Sequence, residues 1–228
     1  MPEKMKVFGV GMSKTGTTTL GTCLEMLGFQ PHIGFEPQLK RWMEDGGVVE
    51  RLLLAATHYQ AFEDSPWYHI YRELDQRFPG SKFVLTVRKD TATHAKSSWA
   101  HGVRRGQRTG APTKEYLEEK SRIYEQHNQA VKDYFRDRPQ DLLVLCWEKG
   151  DGWKELCTFL GVPVLDAPIP HANQGRYGAR LPAFIATSRA YNAAVRVVHE
   201  LSLTPLARAI RRRLPNRTTA TSIAHKGI

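Results

Sequence analysis

The sequence predicts an α/β fold in which a parallel sheet carries helices on both faces, and three observations predict it. Short apolar runs that read as buried strands alternate with stretches whose apolar residues recur at helical spacing. The first run, "KVFGVGM" (6–12), ends in a glycine-rich turn that feeds a helix. The strongest run, "KFVLTVR" (82–88), lacks the polar alternation of a half-exposed strand, as expected where both faces are covered.

The remaining elements follow in order. Between Thr17 and Leu27, residues Leu20, Cys23, Leu24 and Leu27 share a helical face, and Gly28 supplies a C-cap. "YQAFEDSP" (59–66) reads as the second strand, ending in two acids and a proline. Trp67, Ile70, Tyr71 and Leu74 form a helical face until Pro79 and Gly80 break it. A helix follows the 82–88 strand through "ATHAKSSW", and "GVRRGQRTGAPT" (102–113) reads as a loop. Residues 114–136 have a helix-forming composition, and "DLLVLCW" (141–147) is another buried strand. Trp153, Leu156, Cys157 and Leu160 then line a short helix closed by Gly161. The pattern changes after Pro170: residues 171–182 read as loop, 183–213 as a basic helical segment, and the rest as a mobile tail. The expected organisation is one α/β domain over 1–177, with a basic helical C-terminal extension and tail over 178–228 packed on it.

Composition narrows the function classes. At 228 residues and 41% hydrophobic, the chain can bury a full core, and no run of 18 apolar residues calls for a membrane-spanning helix. "MPEKMKVFGV" turns directly into a strand without a hydrophobic leader, so a cytoplasmic location is expected. Cys23, Cys146 and Cys157 fall at apolar positions and read as reduced core residues, without metal-ligand spacing or a disulfide framework. The net charge is +10, with basic clusters at "VRRGQR" (103–108) and "ARAIRRRLPNR" (207–217). Such a balance suits an anionic ligand, nucleic acid or a membrane surface. No aromatic-interleaved basic stripe is present, so a nucleic-acid partner is not expected. The arginines, leucines and alanines of the C-terminal helix allow peripheral contact with anionic membranes. The sequence does not indicate an oligomeric state.

The chemistry starts at "VGMSKTGTTTL" (10–20). Gly11, four residues and Gly16 have the spacing of a phosphate loop, but Thr17 stands where the usual lysine would be, and Lys14 lies inside the loop. A turn between a buried strand and a helix offers backbone N–H groups and the positive end of a helix dipole. Thr17, Thr18 and Thr19 add hydroxyls on the first helical turn, and Lys14 adds a cation. The group so recognised is an anion with several oxygens, a phosphate or phosphosulfate; the plain alternative is a glycine turn feeding a threonine-capped helix. The 82–88 strand ends in Arg88 and not in a second Mg²⁺ carboxylate, and a cation there suits a second phosphate. No metal-ligand set is expected.

These segments resemble the P-loop sulfotransferases, which use 3′-phosphoadenosine 5′-phosphosulfate. "SKTGTTTL" is similar to their 5′-phosphosulfate loop, P-[KR]-[ST]-G-T-[TK]-x-L, with Ser13 in place of the proline. "FVLTVRKDTATHAKSSW" resembles their 3′-phosphate element, and "LLVLCWEKGDGWKELCTFLGVPV" with "PIPHAN" resembles the C-terminal signature of a branch similar to bacterial, fungal and flatworm small-molecule enzymes. The resemblance spans about residues 6–175 and implies a P-loop NTPase-like sheet. It also implies that Lys14, Thr15, Gly16, Thr17 and Thr18, with Thr19 nearby, hold the 5′-phosphosulfate. Arg88 and Ser97 would hold the 3′-phosphate, the donor would be 3′-phosphoadenosine 5′-phosphosulfate without a required metal, and the acceptor would be a small molecule. Lys89 is interposed between the arginine and the usual aspartate, so the serine falls nine residues on and Ser98 becomes a substitute. Arg176 or Arg180 would close over the nucleotide.

Transfer to a hydroxyl needs a group that takes the acceptor's proton. "FEDSP" resembles in placement the segment that carries the family's base, and it puts Asp64 there. The competing readings are Glu63 as base, or both acids as caps of the next helix. Lys14 is the expected catalytic partner. His32, His58, Trp42, Tyr68 and Trp99 could line an acceptor pocket, with acceptor specificity in 29–58 and 100–114. The alternative function is a nucleotide or small-molecule kinase, which shares the fold and loop but needs Mg²⁺.

Overall fold

A computed structural model describes residues 5–36 and 49–170. Five strands form one sheet: β1 (Val7–Gly9), β2 (His32–Ile33), β3 (Ala61–Phe62), β4 (Lys82–Thr86) and β5 (Leu142–Leu145). Their order is β2-β3-β1-β4-β5, and every pairing is parallel. The helices are α1 (Thr17–Met26), α2 (Val49–Ala56), α3 (Tyr71–Arg77), α4 (Thr91–Arg104), α5 (Lys114–Tyr134) and α6 (Trp153–Leu160).

Strand alternation divides the core in two. Val7 and Val84 face α1 and α6, packing with Leu20, Cys23, Leu24, Leu156, Cys157 and Leu160. Phe8, Phe83 and Leu85 face the other layer, with Leu52 of α2, Leu74 of α3, and Val131 and Phe135 next to one another at the end of α5. Phe8 is paired in register with Phe62 on one side and Phe83 on the other, and its ring lies 4.4 and 5.3 Å from theirs. This aromatic row fixes the relative heights of β3, β1 and β4, and so of the loops that leave them. The fold class is the predicted one.

Several boundaries differ from the sequence reading. β2 is only two residues long, too short to leave a pattern. Helix α2 occupies part of the 29–58 stretch read as an acceptor loop. The helix expected from Trp67 opens as a 3₁₀ turn, Trp67–His69, before α3. Helix α4 runs on to Arg104 because Gly102, read as a loop residue, is buried in it; its N-terminus is fixed by Asp90, whose Oδ1 accepts from the Thr93 N–H at 2.6 Å. The three cysteines are free and buried. No described helix is long and apolar enough to cross a membrane. Trp42, Arg176, Arg180, the 171–182 loop, the 183–213 helix, the tail and the 177/178 boundary lie outside the described residues.

Candidate active site at the carboxyl edge of the sheet

In an open parallel sheet, ligands bind beyond the carboxyl ends of the strands. Here the neighbours β3, β1 and β4 release residues 63–66, 10–16 and 87–90 at that edge. The loop after β1 lies directly on β4. A Cβ on Gly11 would sit 2.1 Å from Thr86 Oγ1, so only glycine allows the approach. Thr15 turns its hydroxyl inward, donating to the Met12 carbonyl at 2.7 Å and meeting Thr86 Oγ1 at 2.6 Å. Only its main chain is left to meet a ligand. Gly16 takes φ 90° at the N-cap of α1 and has no side chain to cap it, so the positive end of the helix dipole faces the loop.

The proposed base and the loop lysine share a backbone feature. Lys14 (φ 78°) and Asp64 (φ 66°) are the described non-glycine residues in the left-handed region. That conformation costs such residues on the order of 1–3 kcal/mol, and strain of this kind gathers at functional sites. Asp64 accepts from three donors: the Ser13 hydroxyl, the Thr17 hydroxyl at 3.1 Å and the Ser65 N–H at 2.7 Å. The strand-end carboxylate is thereby tied to both ends of the Ser13–Thr17 loop segment. Glu63 turns to the opposite side of the chain, beneath α1, where a Cβ on Gly34 would lie 2.3 Å from its Oε1. The cap reading does not describe the Asp64 carboxylate either: the 3₁₀ turn at Trp67 has no side-chain cap, and the acid serves the adjacent Ser65 N–H.

Lys14 reaches the last turns of α4. Its Nζ lies 3.3 Å from His101 Nδ1; an ammonium only donates, so Nδ1 accepts and the imidazole proton sits on Nε2. Burial lowers the Lys14 pKa, Asp64 opposes that shift, and Arg104, Arg88 and Arg105 add to it. Burial also lowers the His101 pKa, helped by Lys14, Arg105 and Arg104. His94, one helical repeat earlier, is buried and donates from Nε2 to the Ser13 carbonyl at 3.1 Å. It stacks on Tyr124 with centroids 4.0 Å apart, and burial pushes its pKa down to about 4. Tyr68 hydrogen-bonds Ser13, and burial with the nearby Asp64 charge pushes its phenol up to about 12.

Arg88 leaves β4 toward the end of β5. Its guanidinium meets Glu148 Oε1 at 3.0 Å, while Glu148 Oε2 accepts the Lys89 N–H at 2.9 Å. The Arg88 N–H donates to Tyr124 Oη at 2.8 Å, and its buried Nε has no partner among the described residues. Ser97 and Ser98 lie three and four residues after His94 and four and three before His101. Helix geometry therefore puts both on the α4 face that meets the loop. Thr18 and Thr19 occupy the first turn of α1, Thr19 buried.

Sequence reasoning placed His94 and His101 beside the proposed 3′-phosphate helix without giving them a task, and it missed Trp147, Tyr124 and Glu148. The Trp147 indole lies against the loop, where a Cβ on Gly16 would sit 2.5 Å from its Cδ1, and its buried Nε1 has no partner among the described residues. Nothing local in "LCWEKG" marks that role. Of the acceptor-pocket candidates, Tyr68 lies at the site. His32 instead faces Glu25 of α1 at 3.1 Å, and Trp99 packs under Arg108 and Tyr116. Among the described residues no group of three or more His, Cys, Asp or Glu could hold a metal ion.

Comparison with known proteins gives the family. A family profile described as "Sulfotransferase domain" matches residues 6–109 and 97–177. A curated relative from Aspergillus versicolor, "Ava biosynthesis cluster protein M", is 24% identical over 225 residues, covering 73% of this chain and 80% of the relative.

Proposed function

Since the chain belongs to the sulfotransferase domain family, we propose that it moves a sulfuryl group from 3′-phosphoadenosine 5′-phosphosulfate to a hydroxyl or amine of a small-molecule acceptor, with Asp64 as general base. The observation that carries this reading is the tie between Asp64 and the loop through Ser13 and Thr17, beside Lys14. The donor brings an activated sulfuryl group on a phosphate leaving group. The residues present suit it: the N-terminus of α1 without a side-chain cap, a partly desolvated ammonium on Lys14, and buried N–H groups of Arg88 and Trp147 that have no partner among the described residues.

Each residue then has a task. The loop amides with Lys14, Thr17, Thr18 and Thr19 hold the 5′ end, and Lys14 neutralises the charge that grows on the departing phosphate. Arg88 holds the 3′-phosphate, with Ser97 on the facing helix. An ionised carboxylate offers about four acceptor positions, and Asp64 uses three, which leaves one for the acceptor's proton. Ser13 and Tyr68 orient that carboxylate from the side away from Thr17.

The test is transfer of labelled sulfuryl from the donor to a panel of alcohols, phenols and amines, by wild type and Asp64→Asn. The amide keeps the shape and much of the hydrogen bonding but cannot take the proton. Turnover falls about 10²–10⁴-fold while nucleotide affinity stays near wild type. Near-wild-type turnover by Asp64→Asn removes Asp64 from the mechanism.

A further inference from the structure

The basic cluster "VRRGQR" (103–108) has no task in the reaction as described so far, and the structure splits it. Arg108 is committed to packing: its guanidinium lies 4.3 Å from the Tyr116 ring centroid and 5.3 Å from that of Trp99, and it donates to Tyr116 Oη at 2.5 Å. Arg104 and Arg105 are exposed, and among the described residues neither pairs with a carboxylate. They follow His101 by three and four residues, so they continue the face on which His101 meets Lys14 at 3.3 Å. Both raise the positive potential at Lys14 and at His101, and Asp64 is felt at the same two groups.

Arg88 belongs to the other end of α4. It acts on His94 and on Lys14, whereas Arg104 and Arg105 act on Lys14 and on His101. Arg88 precedes the N-cap Asp90 of α4, a 14-residue helix about 20 Å long, so Arg88 and the arginines of the last turn approach Lys14 from opposite ends of that helix. The cations at that last turn therefore serve something other than the 3′-phosphate, beside the lysine and the carboxylate that flank the reacting atoms.

We infer that the acceptor is itself an anion, carrying a carboxylate, phosphate or sulfate that Arg104 and Arg105 hold at the rim of the site while its nucleophilic group reaches Asp64. This rests on the sulfotransferase reading above. Cations also favour a helix C-terminus for dipole reasons, but that role does not discriminate between acceptors.

The test uses full-length protein saturated with 3′-phosphoadenosine 5′-phosphate, titrated calorimetrically with 4-hydroxyphenylacetate and, separately, with 4-hydroxyphenylacetamide. The acid binds about tenfold more tightly than its neutral counterpart, the range expected for two exposed arginines. The preference shrinks as salt is raised, because the charges are solvent-exposed. In Arg104→Gln/Arg105→Gln it disappears, with bisphosphate affinity changed by no more than about threefold. Equal binding of acid and amide, no binding of the acid, or a preference that survives in the double variant overturns the inference. So does a collapse of bisphosphate affinity in the double variant, which would place the two arginines on the donor. If the bisphosphate fails to bind wild type, the donor reading falls instead, and the acid–amide comparison on nucleotide-free protein still reports on the arginines.

Discussion

Arg88 and His94 show how single residues at this site are set by partners distant in sequence. Arg88 shares its guanidinium with Glu148, 60 positions later, so its removal both deletes a cation and leaves a carboxylate facing the proposed 3′-phosphate. Arg88→Ala weakens 3′-phosphoadenosine 5′-phosphate by about tenfold or more, and adenosine 5′-phosphate hardly at all, in parallel calorimetric titrations. Equal losses for both nucleotides assign Arg88 to structure or to the 5′ end. His94 carries a pH signature. Its Nε2–H is taken by the Ser13 carbonyl, and a second proton on buried Nδ1 would find no acceptor among the described residues. The unfolded chain takes that proton near pH 6.5, the folded protein only near 4. The unfolded state thus binds more protons in this window, and stability present above pH 6.5 is lost as pH falls toward 4, by up to about 3 kcal/mol. His94→Gln, which keeps an N–H donor, flattens that acid slope in urea melts taken across the window. An unchanged slope excludes His94 as its source. The sequence marked Lys14, Arg88 and Asp64 because a loop or strand end announces them. It could not mark His94 or Trp147, whose partners depend on how α4 and the turn after β5 settle onto the first loop.

At the scale of elements, the loop between β1 and α1 works because two glycines let neighbours come close. Gly11 admits Thr86 of β4, and Gly16 admits the Trp147 indole while holding φ 90°. Gly16→Ala meets both a strained backbone and a clash, so it destabilises the fold by at least about 1–2 kcal/mol and weakens nucleotide binding. Gly28→Ala is the control: it has φ 85°, but an added Cβ meets nothing within 4 Å, so only the backbone cost remains. If chemical denaturation finds the two variants equally stable, the Trp147 contact carries no weight. The strands that bear the site were legible for a physical reason, since β1 and β4 are buried and read as apolar runs. β5 was read as buried from the same signal, but it is an edge strand in which only Leu145 is buried and Val144 is exposed. β2 and α2 were not legible: a two-residue strand has no period, and the eight residues of α2 follow a stretch without a clear helix start signal.

For the whole molecule, alternation along the strands builds two apolar layers, and parallel pairing gathers three loops at one edge of the sheet. Cations gather around Lys14 at that edge, where Arg104, Arg88 and Arg105 all act on it and Asp64 is its counter-charge. Such an edge favours anionic ligands. The direct measurement is a thermal melt in the presence of a chelator, with 3′-phosphoadenosine 5′-phosphate at about one hundred times its dissociation constant. Binding at that level contributes roughly 2.7 kcal/mol, which raises the melting temperature of a chain this size by about 5–10 °C. A rise of that order, larger than adenosine 5′-phosphate gives, is the predicted result. Stabilisation by ATP with Mg²⁺ and none by the bisphosphate would contradict the account and make the protein a kinase.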